Sequence, residues 1–335
     1  MNSSKQIKTF LLDNLSNHQK DIIQAAINRF GISRQAIHKH MNRLIADRKV
    51  IAHGTTKGRY YELRPLVNFN KSFSVNDIYS PEEIINKHIM PYFSSLNNNI
   101  IEIFEFAVWA LLNNICDHSE ASKIYYKIYI THQDAHFIIN DNGIGIFENI
   151  RSGLNLKNSR LAALELAKGH VTTSPELHSG DELNAVIHLF DKVTIDASGQ
   201  SLGYTFKDND WSLIYSTQQK GSRIHLLINS NSKRTCAEIF QSIFQKNIKK
   251  IRIPLNLLEL SENRVVNSRA EAKSILRNIA DYKLIEFDFK NIGLIGPSFA
   301  DTLIRTVREK NQFADIKWIN TNKTVDLLMS RALDR

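Results

Sequence analysis

Apolar residues recur every three or four positions in three successive segments of the first 50 residues. This spacing predicts three helices. The second ends at Gly31, and the third begins after Ser33, whose side chain can accept a hydrogen bond from the first helical turn. The next segment, KVIAHGTTKGRYYEL, places Gly54 and Gly58 between two β-prone runs. Residues 1–66 are therefore predicted to form three helices and a β-hairpin.

Beyond this unit the pattern changes twice. Residues 67–78 have little periodicity and several Asn and Ser residues, which predicts a linker. A central unit over residues 79–248 begins with a helix capped by Ser80 and contains a long apolar helix, strands and a glycine-rich turn. Strand and helix patterns alternate over residues 249–335, which predicts a small sheet with parallel strands. The predicted fold class is multidomain α+β.

The positive charge is concentrated in the first unit. The net charge is +9; residues 1–65 hold 12 Lys and Arg against 4 Asp and Glu, so they carry +8 and the other 270 residues carry +1. A basic module on a near-neutral body indicates a nucleic-acid partner for that module; the alternative is a solvated basic surface. Two cysteines, no apolar leader and no apolar run of membrane length indicate a cytoplasmic protein without a membrane partner.

The first unit resembles the winged helix-turn-helix domains of bacterial transcription regulators. The resemblance implies that the third helix contacts DNA and that the hairpin, or wing, reaches the DNA backbone or the minor groove. The alternative is a small helical module that docks protein. The residues expected to contact DNA are Arg34, Gln35, His38, Lys39 and Asn42 on the third helix and Lys57 and Arg59 in the wing.

The central unit contains a strand that runs into Asp141, with glycines at alternate positions after it. Upstream, an apolar helix within residues 104–122 carries Asn114 and His118 on one face. Two strands join this helix to the glycine turn. No Walker lysine follows the turn, and an acid there would repel a phosphate, so the turn is not predicted to be a P-loop.

An asparagine helix, a hairpin and then Asp-x-Gly-x-Gly resembles the GHKL ATPases, in particular the anti-sigma-factor kinases, over residues 80–230. The segment 168–180 is similar to their lid and second glycine box, and 220–228 to their closing strand. The resemblance implies a Bergerat-type α/β sandwich in which Asp141 accepts a hydrogen bond from the adenine amino group and Asn114 holds Mg²⁺. The nucleotide-binding residues so implied are Asn113, Asn114, Asp141, Gly143, Gly145, Lys168, Gly180 and Ser222.

Two positions depart from that family. Ala110 stands where phosphate-transferring members carry a general-base glutamate, and Glu105 is expected to face away. Losing a positioned base forfeits about 10²–10⁴ in rate. Glu182 follows Gly180 and Asp181 where the family tends to have another glycine, and an anion beside a triphosphate costs electrostatic energy. We therefore predict no catalytic residue and weak or absent catalysis; the alternative is an active ATP-dependent kinase or ATPase.

The third unit resembles STAS-like domains, the fold of anti-sigma-factor antagonists, over residues 251–335. That family often has a phosphorylatable serine at the strand-to-helix turn, where this chain has Gly296, Pro297 and Ser298, with Pro297 in the serine position. Two roles stay open for Ser298. The favoured one is N-cap of a helix that begins at Phe299, and the other is phosphorylation.

Together the three resemblances predict a bacterial DNA-binding transcription regulator, in which a GHKL-like domain binds ATP and signals with a STAS-like domain. The expected cofactors are ATP and Mg²⁺, and the expected partners are double-stranded DNA and a sigma-type factor or other protein. Winged-helix proteins usually bind paired half-sites, so a homodimer is expected. A structural adaptor for a sigma-type factor is a third option. His38 and His40 point in different directions on a helix, so no zinc site is expected.

Overall fold

The computed structural model describes most of the chain as mixed α+β structure. Within the described residues there are twelve α-helices, several short 3-10 or π turns, and fourteen strands in four sheets. Three units follow one another, in the order that the sequence predicts. The residues described are 4–55, 58–77, 80–169, 171, 180–244, 249–258 and 265–334.

The N-terminal unit has three helices and a two-stranded antiparallel sheet with a separate apolar core. Gly31 ends the second helix in the left-handed region, with φ 64°. The Ser33 hydroxyl accepts a hydrogen bond from the Ala36 N–H at 3.2 Å, so it caps the third helix as predicted. The elements are α1 (Ser4–Asn14), α2 (Ile22–Phe30), α3 (Arg34–Ala46), β1 (Val50–His53) and β2 (Tyr60–Leu63).

Residues 67–77 are not a linker, and the predicted linker over 67–78 is wrong for them. Val67–Ser74 forms strand β3, which pairs along its whole length with β4 (Lys123–Ile130). A 3-10 turn, Val75–Asp77, follows. Alternate side chains of β3 face the core while Asn and Ser face solvent. The polar half of this period-two pattern resembles a loop in composition, which is why the sequence reading missed the strand.

The central unit is built on a seven-stranded sheet in the order β3-β4-β5-β9-β6-β7-β8, with every neighbouring pair antiparallel. Helices pack on one face, and the other face is open to solvent along most strands. The remaining strands are β5 (Asp134–Asp141), β6 (Lys192–Ala197), β7 (Gln200–Thr205), β8 (Asp210–Tyr215) and β9 (Ser222–Asn229). The helices are α4 (Pro81–Ile84), α5 (Asn98–His118), α6 (Ile146–Gly153), α7 (Ser159–Lys168), α8 (Asp181–Leu189) and α9 (Cys236–Phe244), with turns Ile85–Ile89 and Met90–Phe93 after α4.

Helix α5 is the longest helix of the described chain and passes through the core of the central unit. By length and composition alone it could cross a membrane, and half of its most apolar window is buried inside the protein. Nine of its side chains are buried against the sheet and neighbouring helices. Since the core helix of a soluble domain meets the same criteria, this helix is weak evidence for a membrane span.

The C-terminal unit is a parallel three-stranded sheet, in the order β10-β12-β14, with a second short parallel pair. One predicted cap is wrong: α11 begins at Pro297 with Gly296 as its N-cap, so Ser298 is not the cap. Proline suits the first helical position because no N–H is required there. The elements are β10 (Lys250–Pro254), β11 (Val265–Val266), α10 (Arg269–Ile275), β12 (Leu284–Asp288), β13 (Leu294–Ile295), α11 (Pro297–Lys310), β14 (Asp315–Ile319) and α12 (Lys323–Leu333).

The central and C-terminal units share one continuous apolar core. Arginine side chains of each unit also donate hydrogen bonds to backbone carbonyls of the other unit. The Arg160 guanidinium on α7 donates to the carbonyls of Leu257 and Leu258 at 2.8 and 2.9 Å. The Arg277 guanidinium donates to the Leu154 carbonyl at 2.9 Å. The two units are therefore packed as one body rather than joined by a free linker.

The N-terminal unit contacts the central unit at the turn between β4 and β5. The Gln133 side chain accepts a hydrogen bond from the Ser16 hydroxyl at 3.0 Å and donates to the Asp13 carbonyl at 2.9 Å. The Leu66 N–H donates to the Ile130 carbonyl at 2.7 Å. These contacts are made by the end of α1 with the residues just after it and by Leu66, and none of them involves α3.

Two histidines lie side by side on the open face of the central sheet. Nδ1 of His136 on β5 is 3.0 Å from Nε2 of His225 on β9. Burial, followed by the charges of His225 and Lys127, lowers the pKa of His136 from 6.5 to about 4. Burial and Arg223 also lower the pKa of His225. The folded chain therefore favours neutral rings at this pair.

We expect this pair to make stability depend on pH. Because the folded-state pKa of His136 is depressed, the unfolded chain binds protons more tightly between pH 6.5 and about 4. The stability that the neutral His136 ring contributes is fully present above pH 6.5 and is lost as the pH falls from 6.5 to about 4. His136→Gln should flatten the slope of the urea midpoint against pH there. His18→Gln, at a histidine whose side chain is 39% exposed beside Asp21, is the control, and an equal slope in both variants would contradict the prediction.

Candidate functional site

A narrow cleft opens in the central unit between α5, α6, α8 and the ends of β5 and β9. Its cavity volume is about 100 Å³, and its mouth opens to solvent. This volume lies below the usual range of small-molecule sites, about 300–1,000 Å³, so a ligand of ordinary size would extend out of the mouth. The walls are mostly aliphatic, with a few polar groups. These polar groups include Asn114, His118, Asp141, Asn149, Glu182 and Ser222.

Asp141 is the buried carboxylate of this cleft. It is 6% exposed and lies at the last position of β5. Its two oxygens accept hydrogen bonds from the N–H of Gly143 at 2.8 Å and of Ser222 at 3.2 Å. Burial raises the pKa of Asp141, and these hydrogen bonds act in the opposite direction. The carboxylate is therefore fixed in direction, and its remaining lone pairs are available to a donor in the cleft.

The glycines around Asp141 allow close backbone approach within the protein. A Cβ on Gly143 would overlap the carbonyl of Ser119, and a Cβ on Gly221, at φ 70°, would overlap the carbonyl of Asp141. Gly143 does not line the cleft, so it is not positioned to make the predicted contact with a nucleotide. Gly221 went unnoticed in the sequence, although it directly precedes the predicted Ser222.

The cleft brings together five of the eight residues predicted to bind nucleotide: Asn114, Asp141, Gly145, Gly180 and Ser222. Asn113, Gly143 and Lys168 are not part of its lining. Asn149 on α6 was missed; its side chain donates to the His118 carbonyl at 3.4 Å. The available signal was the helical spacing that places Ile146, Asn149 and Ile150 on one face after the glycine turn.

Lys168 is turned away from the cleft, and its predicted contact with phosphate is wrong. Its ammonium lies 2.6 Å from the Glu165 carboxylate, and the two side chains are 2% and 3% exposed. It also donates to the carbonyls of Ile275 and Arg277 in the C-terminal unit, at 3.2 and 3.4 Å. Leu166 lines the cleft, and a residue two positions later lies on the opposite side of the helix.

The positions at which the sequence departs from the GHKL pattern differ in their location relative to the cleft. Ala110 is fully buried in the core and is not part of the cleft lining. Glu105 lines a separate groove with Trp109 on another side of α5. Glu182 does line the cleft. The carboxylates that reach the cleft among the described residues are therefore Asp141, which is held by backbone, and Glu182, which adds negative charge at the α8 side.

Asn114 is the predicted metal ligand, and it lines the cleft. Among the described residues, no group of three or more His, Cys, Asp and Glu could hold a metal ion. Mg²⁺ commonly takes one or two protein oxygens and completes its shell with water and phosphate oxygens. The side-chain amide oxygen of Asn114 therefore suits a Mg²⁺ that arrives with a nucleotide, whereas the cleft is not a preformed metal cage.

Three of the predicted DNA-contacting residues lie near one another in the N-terminal unit. Burial, followed by the nearby charges of Arg34 on α3 and Arg59 beside β2, lowers the pKa of His38. Arg34 donates to the Gln24 side chain at 3.1 Å, which ties α3 to α2. Lys57 lies outside the described residues. The exposed members of the predicted set are Arg34, Gln35, Lys39, Asn42 and Arg59, and His38 is half-buried.

Comparison with known proteins identifies part of the C-terminal unit. Residues 271–326 match the family model of a STAS-like domain of unknown function (DUF4325). The match spans most of α10, β12, β13, α11 and β14, and it reaches into α12. It confirms the predicted STAS-like character of this unit. No curated protein matches the chain.

The buried Lys168–Glu165 pair gives a stability prediction. We expect Lys168→Met to lower the free energy of unfolding by roughly 3–5 kcal/mol, because it leaves the Glu165 carboxylate buried without its cation. Lys168→Met combined with Glu165→Leu should recover most of that loss, since no unpaired charge remains. Urea unfolding of both variants measures the two effects.

The control uses an ion pair that is exposed. Arg305 and Glu309 lie 3.6 Å apart on α11, with side chains 64% and 63% exposed. Arg305→Met should change the urea midpoint little, because exposed pairs contribute little to stability. If Lys168→Met and Arg305→Met have the same small effect, the assigned importance of the buried pair is wrong.

Proposed function

We propose that this protein is a bacterial DNA-binding regulator whose central unit binds ATP with Mg²⁺ as an effector and does not turn it over. The single observation that carries the proposal is the placement of Asp141 and Asn114 in one narrow cleft. The STAS-like C-terminal unit, packed against α7, is proposed to exchange signals with that central unit.

The purine preference rests on Asp141. A carboxylate held by the N–H groups of Gly143 and Ser222 can accept a hydrogen bond from an exocyclic amino group such as that of adenine. The aliphatic walls, with Leu111, Ile146 and Ile224 among them, suit the faces of a flat ring. These features support an adenine nucleotide over a free phosphate or a sugar.

The absence of turnover rests on the missing base. In the GHKL resemblance the general base is a glutamate one helical turn before the metal-binding asparagine. His118, the imidazole that lines the cleft, lies one turn after Asn114 on α5. The position one turn before Asn114 holds Ala110, which is buried and carries no titratable group. Glu182 lies on the other wall, on α8, and its charge opposes that of a polyphosphate. The arrangement favours binding over hydrolysis.

The DNA-binding part of the proposal rests on the N-terminal unit. Its α2, the three-residue turn from Gly31 to Ser33, and α3 have the order and turn length of a helix-turn-helix. The +8 charge of residues 1–65 and the exposed polar face of α3 favour phosphate and base contacts. We propose that it binds duplex DNA as a homodimer and that a sigma-type factor or another protein contacts the body.

We expect ATP·Mg²⁺ to raise the melting temperature of the full chain and GTP·Mg²⁺ to leave it unchanged, since guanine has a carbonyl where adenine has the amino group. A ligand at 100 times its Kd adds about 2.7 kcal/mol to stability. Asp141→Asn should remove most of the shift, because its amide oxygen can still accept from the Gly143 N–H while its NH2 group replaces the oxygen that accepts from the Ser222 N–H and presents a donor to adenine. The measurement is thermal unfolding followed by fluorescence.

Asp208→Asn, an exposed substitution in the β7–β8 turn, is the matched control and should keep the full shift. Phosphate release should stay at background in the same preparations. Robust ATP turnover that Asn114→Ala abolishes would contradict the effector role and favour an active ATPase or kinase.

We expect Arg34→Ala with Lys39→Ala to weaken binding to duplexes selected from a random library by roughly tenfold or more, because removing a base or phosphate interaction costs about 1–3 kcal/mol. The slope of log Kd against log salt should become shallower by about one for each phosphate interaction that the variant removes. Arg305→Ala with Lys317→Ala, two exposed positions of the C-terminal unit, is the control. Equal affinity of the two double variants for duplex DNA would contradict the proposed DNA-binding role of α3.

A further inference from the structure

Strand β4 presents an alternation of lysine and tyrosine on the open face of the central sheet. The sequence KIYYKIYI places Lys123, Tyr125, Lys127 and Tyr129 at alternate positions, and the intervening side chains are buried in the core. Tyr125 is 37% exposed, and Lys123 is exposed as well. Lys127 and Tyr129 are half-buried, with the Lys127 ammonium 5.9 Å from the centre of the Tyr129 ring. A solvated sheet face needs neither the rings nor this regularity.

The neighbouring strands extend this surface with polar groups that carry no negative charge. The register sets Asn68, Asn70, Ser72 and Ser74 of β3 directly beside the four β4 residues. On the other side it sets His136, Ile138 and Asn140 of β5 beside Tyr129, Lys127 and Tyr125. We call these eleven residues of β3, β4 and β5 the outer platform. None of them is a carboxylate.

Carboxylates lie at the margins of the outer platform. Glu62 of β2 is close enough to contribute to the raised pKa of Tyr129, whose larger cause is burial. Asp134 lies at the start of β5, where burial and Asp191 raise its pKa to about 6. Asp196 lies two strands further, opposite Arg223 of β9. Neither Lys123 nor Lys127 forms an ion pair with a described residue, so both ammonium groups are available to an anion.

We propose that the outer platform binds single-stranded nucleic acid. Aromatic rings stack on bases without regard to sequence, and lysines between them contact the phosphates. Along a strand, residues two apart are separated by about 6.6 Å, so each tyrosine has a lysine within reach of the same backbone. The exposed amides of Asn68 and Asn70 add hydrogen-bond donors and acceptors for base edges.

Other occupants fit the outer platform less well. Duplex DNA keeps its bases stacked inside, so the tyrosines could not stack on them. A second copy packed on the same face would bring together two lysine-bearing patches without a carboxylate in either, because a two-fold interface uses the same patch of both subunits. The outer platform ends beside the N-terminal unit, where Leu66 donates to the Ile130 carbonyl. A strand bound here would thus lie next to the N-terminal unit.

The test is fluorescence anisotropy of the full chain with labelled (dT)15 and (U)15 at low salt. We expect wild type to bind, and Tyr125→Ala with Tyr129→Ala to weaken binding by roughly 5-fold or more per tyrosine, from a stacking contribution of about 1–3 kcal/mol per base. Tyr125→Phe with Tyr129→Phe should retain affinity, because the rings remain. Lys123→Gln with Lys127→Gln should make the salt dependence shallower, by about 0.7 for each phosphate interaction that the variant removes.

Matched controls use exposed residues elsewhere on the central unit. Tyr215→Ala, at a position 75% exposed on β8, and Lys207→Gln should leave anisotropy titrations unchanged. A difference between the (dT)15 and (U)15 titrations tells whether DNA or RNA is preferred. No binding by wild type, or equal losses in the control and outer-platform variants, would overturn the proposal.

The N-terminal variant separates this proposal from the duplex-binding function. Arg34→Ala with Lys39→Ala should lose duplex binding and keep (dT)15 or (U)15 binding. If that variant loses the single strands and the tyrosine variant keeps them, the outer platform is not the site and the N-terminal unit binds both. Circular dichroism of each variant confirms that the sheet remains folded.

Discussion

The hydrogen bonds that hold Asp141 fix the geometry of the central unit. Its carboxylate joins the end of β5, the glycine turn and the first residue of β9 through the N–H groups of Gly143 and Ser222. The Ser222 hydroxyl in turn accepts from the Ile146 N–H at 2.9 Å, which sets the start of α6. A buried carboxylate is costly unless it is hydrogen-bonded, so these segments must close around it. The cleft is the space that this closure leaves beside α5.

Strand β5 and helix α7 link the cleft to the contacts with the two neighbouring units. Strand β5 runs from the turn at Gln133, which contacts the N-terminal unit, to Asp141 in the cleft. Helix α7 contributes Leu166 to the cleft and sends Arg160 and Lys168 to carbonyls of the C-terminal unit. Coupling between sites requires an element with two arrangements that both sites bias. Helix α7 is where contacts with the cleft and with the STAS-like unit coincide.

Sequence reasoning succeeded where one local rule was sufficient. Ser33 was found as a cap because a hydroxyl before an amphipathic segment has a defined role. Asn114 and Asp141 were expected in one cleft because the GHKL resemblance implies it, and both residues line the cleft. Sequence reasoning failed where contacts between distant parts of the chain determine the local structure. The polar side chains of β3 looked like a loop because nothing local reports the pairing with β4. Lys168 looked like a phosphate ligand because the carbonyls of the C-terminal unit that it binds are distant in sequence. At Gly296 the chain uses backbone geometry and Pro297 in place of a hydroxyl cap, so Ser298 misled the reading.

Two adjacent tyrosines on β4 show how one strand can serve both faces of the sheet. Tyr126 is 1% exposed, packs in the aromatic core and donates its hydroxyl hydrogen to the His88 carbonyl at 2.8 Å. Burial raises the pKa of Tyr126 far above its ordinary value, so this hydroxyl remains a donor. Tyr125 carries the same side chain with its ring at the surface. Because alternate residues of a strand point to opposite faces, the inner series packs in the core while the outer series lies at the surface, where a ligand can reach it.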